Sequence, residues 1–389
     1  MGDTLTPEIR AEALARGYSR RQFGRIAGVL SMSSAFTRFV SAAHASGPSE
    51  AVRISEPVRI GANECWTGPF PETQESALAA FAHGNRYEPS NLRATLIATV
   101  AEQDRIPVEY VRPWQGSMDP LMRAIVTFCA PQRGLVTVDP TFEAAWRTAQ
   151  WLGVRQSRVP LLPHNGYATD VRALLKADPN VGLYYVCTPN NPTGTITPLE
   201  DIVWLADNKP KDAVILVDEA YIHFSRAESA ISLVTHRKDI VVLRTFSKLF
   251  GMAGLRLGLS FAHPDLHRRM LRYDGEAASQ LINVVALATG NASLRLHTQI
   301  EQRRSELIAN REYTLGQLKR RNIHYLPGSE ANMIMVDWGK NAASLQKAIA
   351  GQGVEIGRSW PIWPNRSRVT IGSRRDMERF IQAIDVVTG

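Results

Sequence analysis

The chain has 389 residues, 44% of them hydrophobic and 21% charged, a balance that suits one large and one smaller globular domain around a substantial core. No apolar run reaches the roughly eighteen residues of a membrane-spanning helix. The net charge is +8, but the basic residues are dispersed rather than gathered into a stripe, which argues against nucleic acid and for anionic small molecules. The cysteines Cys65, Cys129 and Cys187 show neither zinc nor disulfide spacing and are expected to be buried small apolar side chains.

The first 45 residues differ in character from the rest. Ser19-Arg20-Arg21-Gln22-Phe23-Gly24-Arg25, a moderately apolar stretch over residues 26–43, and Ala43-His44-Ala45 together resemble a cleavable twin-arginine export signal. Its use implies a periplasmic or secreted protein. An amphipathic N-terminal helix of a cytoplasmic protein is the alternative.

From about residue 90 the pattern alternates helix and strand. Leu92–Asp104 reads as a helix, and Trp114-Gln115-Gly116-Ser117-Met118 as a turn entering an apolar helix at residues 121–129. A small-residue turn opening a helix offers free N–H groups and a positive dipole end, so Gly116, Ser117 and Met118 are expected to hold an anion. Gly134–Asp139 reads as a strand leading into Pro140-Thr141-Phe142. Val181–Cys187 is a continuous apolar strand of the parallel-sheet kind, followed by the rigid turn Asn190-Asn191-Pro192-Thr193-Gly194, which fixes the aim of the Asn191 amide. Residues 213–217 form another apolar strand ending at Asp218, with Tyr221 close behind. Glu219 is expected to serve packing or a salt bridge.

The next strand ends at Thr245, Ser247 and Lys248, with Arg256 following. A lysine at the edge of a core favours its neutral, nucleophilic form. Hydroxyls and a guanidinium beside it suit a phosphate. Amine plus phosphate cradle is the pairing that pyridoxal 5'-phosphate (PLP), an aldehyde with a phosphate handle, requires. Asp218 at a strand mouth would pair with the protonated pyridine nitrogen, while Asn191 and Tyr221 would reach the ring 3-oxygen. Beyond a helical region over residues 311–321, strand-like residues 331–337 and 368–372 flank a helical piece at residues 345–351, as in a small α+β domain.

Thr245, Ser247, Lys248, Gly254, Arg256 and Gly258 match the S/T-x-S-K-x-x-x-x-x-G-x-R-x-G segment of fold-type I PLP enzymes. With Asn63-Glu64, Gly68-Pro69, Arg86-Tyr87 and the Asn190–Gly194 turn, the chain resembles the class I/II aminotransferases, and within them the histidinol-phosphate aminotransferases. The resemblance implies an α/β fold: a large domain with a mostly parallel seven-stranded sheet plus a small C-terminal α+β domain. The expected division is a signal segment at 1–45, an arm at 46–80 contributing to the small domain, a large PLP-binding domain at 81–295 and a small domain at 296–389. It further implies a homodimer in which Tyr87 reaches the neighbouring subunit's cofactor phosphate. Phe142 would stack on the pyridine ring, and Asn63, Asn332, Arg358 and Arg368 would meet the substrate. The implied reaction moves an amino group between an amino acid and a 2-oxo acid through Lys248. A decarboxylase, lyase or oxidase of the same fold is the alternative. Cys65, Glu88 and the Trp360–Trp363 stretch depart from the family pattern.

Overall fold

A computed structural model describes residues 5–31, 57–274 and 276–388. The strands in chain order are β1 (Val58–Ile60), β2 (Val111–Trp114), β3 (Gly134–Asp139), β4 (Gln156–Pro160), β5 (Val181–Cys187), β6 (Val214–Asp218), β7 (Ile240–Thr245), β8 (Gly258–Ala262), β9 (His324–Tyr325), β10 (Met333–Asp337), β11 (Val354–Ile356) and β12 (Arg366–Thr370). Seven of them form one sheet in the order β2-β8-β7-β6-β5-β3-β4. Within it β8 runs against both its neighbours and the other pairings are parallel.

Apolar runs become the central strands because both faces of this sheet are covered. All residues of β5 and β6 are buried. The two-residue period of a strand sends Leu183, Tyr185, Cys187, Leu216 and Leu243 to one face and Val186, Val217 and Val242 to the other. The first face packs against helices Met118–Phe128, Ala144–Leu152 and Pro264–Leu271, the second against Leu92–Asp104, Leu199–Asn208 and Val284–Leu294. The C-terminal ends of the parallel strands therefore gather along one edge, where open α/β sheets bind ligands.

The small sheet β12-β10-β9 is antiparallel, and β1 pairs in parallel with β11, so residues 58–60 join the C-terminal part of the chain. Three expected boundaries move. The helix expected at residue 121 starts at Met118, because Pro120 falls in its first turn, where a missing N–H costs no hydrogen bond. The strand expected to end at Val217 includes Asp218, which fixes the face that carboxylate takes. Arg368 lies inside β12 opposite Met335 rather than at a strand start.

Residues 5–31 form helices Pro7–Ala15 and Arg20–Ser31, and the second packs on helices Met118–Phe128 and Ala144–Leu152. Tyr18, Ile26 and Val29 enter the same buried cluster as Leu121 and Ile125. The Tyr18 hydroxyl donates to the Cys129 carbonyl at 3.0 Å, and Gln22 Nε2 donates to the Leu152 carbonyl at 2.9 Å. The expected cleavage site at Ala43-His44-Ala45 lies outside the described residues. The three cysteines are free thiols, and Cys129 and Cys187 are buried as expected. Cys65 is instead half-exposed, since its loop runs along the surface beyond β1.

Candidate active site

Lys248 follows β7, and its amine turns back to donate to the Asn63 carbonyl at 3.0 Å. Desolvation, reinforced by the nearby Arg368 charge, lowers its pKa to about 8. The Tyr221 ring centroid lies 5.5 Å from the amine. Burial raises the Tyr221 pKa, so it stays a neutral phenol. Its oxygen accepts from Asn63 Nδ2 at 3.0 Å, which leaves the phenolic hydrogen to donate elsewhere.

Asp218 is 2% exposed at the end of β6. Its Oδ1 accepts from the Ala220 N–H at 3.1 Å and its Oδ2 from the Tyr185 hydroxyl at 2.8 Å. Desolvation still outweighs these bonds and raises its pKa to about 6. A carboxylate so placed gains from a cationic partner.

Sheet register builds the phosphate cradle. Trp114 on β2 and Thr245 on β7 both lie opposite Gly258 on β8, which brings the turn after β2 beside the Lys248 loop. Thr245 Oγ1 donates to Ser247 Oγ at 2.9 Å and accepts from the Ser247 N–H at 3.1 Å, while Arg256 Nη1 lies 3.4 Å from Ser247 Oγ. Gly116, at φ +81°, is the closing piece: a Cβ there would collide with the Arg256 guanidinium. A Cβ at Gly258 would strike the backbone of Gly116 and Ser117. Ser117 caps the 11-residue helix that Met118 begins, so its free N–H groups open into the same space.

Arg368 reaches across from β12. Its Nη1 donates to Asn191 Oδ1 at 2.8 Å and its Nη2 to the Gly61 carbonyl at 2.6 Å, while its buried Nε has no partner. Burial lowers its pKa to about 10, which still leaves it cationic at neutral pH. Asn332 donates to the Asn63 carbonyl at 3.3 Å, and its buried Oδ1 is unpaired.

Two expected substrate contacts are already committed elsewhere. Asn63, at φ +55°, spends its side chain on Tyr221 and on Thr370, whose hydroxyl donates to Asn63 Oδ1 at 3.0 Å. It thus organises the site around it. Arg358 is not a free anion holder: its Nη1 pairs with Glu143 Oε1 at 2.8 Å, and its guanidinium lies 4.5 Å from the Trp360 ring centroid. Phe142 lies between β3 and helix Ala144–Leu152, half-buried and packed on the large-domain cluster. Tyr87 is 88% exposed. Glu219 is structural, accepting from Ser229 Oγ and the Ala230 N–H at 2.7 Å each and pairing with Arg244.

Tyr185 and Glu143 touch candidate site residues without a signal of their own in the sequence. Tyr185 is hidden inside an apolar run, and Glu143 acquires meaning only from a partner 215 residues away.

These residues fit PLP: a depressed lysine amine, a buried carboxylate short of a cation, and a glycine-walled pocket of hydroxyl, guanidinium and helix N–H donors. When bound, PLP supplies an aldehyde to carry an amino group and a cationic ring to absorb negative charge.

The chain is 29% identical over 325 residues to an aromatic amino acid aminotransferase of Rhodococcus jostii, covering 83% of this chain and 88% of that protein. It is 29% identical over 335 residues to a histidinol-phosphate aminotransferase of Symbiobacterium thermophilum, covering 85% and 91%. The crystal structure of histidinol-phosphate aminotransferase from Sinorhizobium meliloti in complex with pyridoxal-5'-phosphate superposes with a TM-score of 0.77 at 23% identity, over 91% of this chain and 99% of that one. The family model for aminotransferase class I and II matches residues 55–384. The chain belongs to that family, and it is a PLP-dependent aminotransferase.

Proposed function

We propose that Lys248 holds PLP and moves the proton in this aminotransferase, and that the amino donor is an α-amino acid whose carboxylate docks on Arg368. The observation that carries the substrate reading is the buried Arg368 guanidinium, tied to Asn191 yet with Nε unpaired. A single cationic fork of this kind suits a carboxylate. Arg358 gives its Nη1 to Glu143, which also pairs with Arg147, and a guanidinium engaged in this way is less suited to a dianionic phosphate ester as the distal group.

With PLP bound, the neutral Lys248 amine would hold its aldehyde and, once freed by the donor's amine, would act as the general base for the proton on the donor's α-carbon. Asp218 would keep the ring nitrogen protonated. Asn191 and Tyr221 would donate to the ring 3-oxygen, Phe142 would stack on the ring, and Gly116, Ser117, Met118, Thr245, Ser247 and Arg256 would hold the phosphate. Asn332 lines the substrate side. The test is to mix holoenzyme with aromatic, aliphatic and acidic amino acids and with histidinol phosphate, following pyridoxamine phosphate by absorbance. Conversion with a neutral amino acid and release of its 2-oxo acid supports the reading. Conversion with histidinol phosphate alone, or carbon dioxide without pyridoxamine phosphate, overturns it.

We further propose a homodimer, supported by exposed Tyr87 together with exposed Leu78, Phe81 and Leu281. Light scattering giving a monomer mass would sink it. Twin-arginine export is proposed from the Ser19–Arg25 motif, whose Arg20 and Arg21 are exposed. A periplasmic protein beginning at Ser46 supports export. An intact N-terminus found only in the cytoplasm supports the docked-helix alternative.

A further inference from the structure

β5 brings a second polar group to the ring-nitrogen carboxylate. Tyr185 is fully buried among Leu183, Leu216 and Leu243 on the face that Asp218 also takes. A hydroxyl in such surroundings is costly unless bonded, and its donation to Asp218 Oδ2 at 2.8 Å supplies the bond. The tyrosine is itself pinned, because Thr137 Oγ1 donates to its carbonyl at 3.0 Å. With Ala220 N–H on Oδ1, each carboxylate oxygen is held by a donor from a rigid element.

We propose that Tyr185 is a positioning residue for PLP chemistry, fixing the Asp218 carboxylate and weakening its basicity so that the shared proton stays on the ring nitrogen. A donor to a carboxylate stabilises the charged form. A less basic carboxylate leaves more of the proton on its partner, and the ring stays cationic. The other titratable groups facing Asp218 do not duplicate this role. Glu219 is bound to Arg244 and Ser229. Tyr221 is engaged by Asn63. The Cys187 thiol, beside Asp218 in the register, is kept protonated by burial and points its hydrogen at the Pro189 carbonyl. The Lys248 amine donates to the Asn63 carbonyl. A phenylalanine would fill the same space without the donor.

This inference rests on Asp218 being the ring-nitrogen partner, and the experiment separates the two. Wild type, Tyr185→Phe and Asp218→Ala are each loaded with PLP or with N-methylated PLP, whose ring charge is permanent. Tyr185→Phe with PLP should lose roughly tenfold in kcat with KM unchanged. With the N-methylated cofactor it should match wild type. In the cofactor-free proteins, the pH midpoint of the Asp218 carboxyl 13C signal should rise in Tyr185→Phe by about one unit. An unshifted midpoint, an unchanged kcat, or a loss that persists with N-methylated PLP overturns the role of Tyr185. If N-methylated PLP fails to rescue Asp218→Ala, the assignment of Asp218 itself falls. If it rescues Asp218→Ala but not Tyr185→Phe, only the present inference falls.

Discussion

Arg368 Nη1 stands 2.8 Å from Asn191 Oδ1, which ties β12 of the small domain to the turn after β5 of the large one. The residue proposed to take the substrate carboxylate is thereby held by one proposed to face the cofactor. Arg368→Ala should lower kcat/KM for the preferred α-amino acid about a hundredfold or more, the equivalent of losing a charge-assisted bidentate pair of about 3 kcal/mol. Steady-state kinetics measure it, and Arg368→Lys should recover only part of the loss because it cannot form the fork.

Glu143 is the counterpart of Arg358 at 2.8 Å. Glu143→Gln should free that guanidinium, and it also removes the carboxylate that pairs with Arg147. The KM for an amino acid bearing a second anionic group should fall roughly fivefold to tenfold while that for a neutral one changes little. Equal changes for both donors would remove Glu143 from substrate choice.

The Lys248 amine has its pKa lowered to about 8 in the cofactor-free protein. Its neutral fraction rises with pH up to that value. The rate of borohydride-trappable PLP attachment should therefore climb about tenfold per pH unit below 8 and level off above it. Lys248→Ala should show no attachment, lose about a thousandfold or more in turnover, and still bind PLP weakly through the phosphate cradle.

The Asp218 pKa is raised to about 6, above its value in an unfolded chain. Its contribution to cofactor-free stability is full below pH ~4 and is lost as pH rises through 6, a change on the order of 3 kcal/mol. Relative to Asp218→Asn, the cofactor-free wild type should lose ground in denaturant titrations across that window. Loading with PLP should reverse the trend, because the ring cation stabilises the carboxylate.

Removing residues 1–31 uncovers the cluster that Tyr18, Ile26 and Val29 enter. Burial of each such side chain is worth roughly 1.5–3 kcal/mol, so the truncated enzyme should melt several degrees lower with its aldehyde-trapping lysine intact. Scanning calorimetry beside a borohydride-trapping assay checks both halves.

Much of the candidate site is legible in one dimension because its parts sit at strand ends, where an apolar run stops at a polar or small residue. Asn191, Asp218, Lys248 and the Thr245–Gly258 segment each announce themselves that way, and the parallel sheet brings their ends together. The same runs foretold the mostly parallel sheet and the small domain.

What the linear pattern could not supply are pairings between residues far apart in the chain. Arg358 looks like a free cation until Glu143 is placed against it, and Asn63 looks like a substrate contact until Tyr221 and Thr370 claim its amide. Tyr185 reads as one more apolar residue until β6 lies beside β5 and brings Asp218 within reach of its hydroxyl. Helix Arg20–Ser31, which overlaps the twin-arginine-like motif, buries Ile26 and Val29 against helix Met118–Phe128. Hydrophobic periodicity decides which residues turn inward, but only strand register and helix packing decide which polar group each inward residue meets. Those meetings set the charge and aim of Asn63, Asp218 and Arg358.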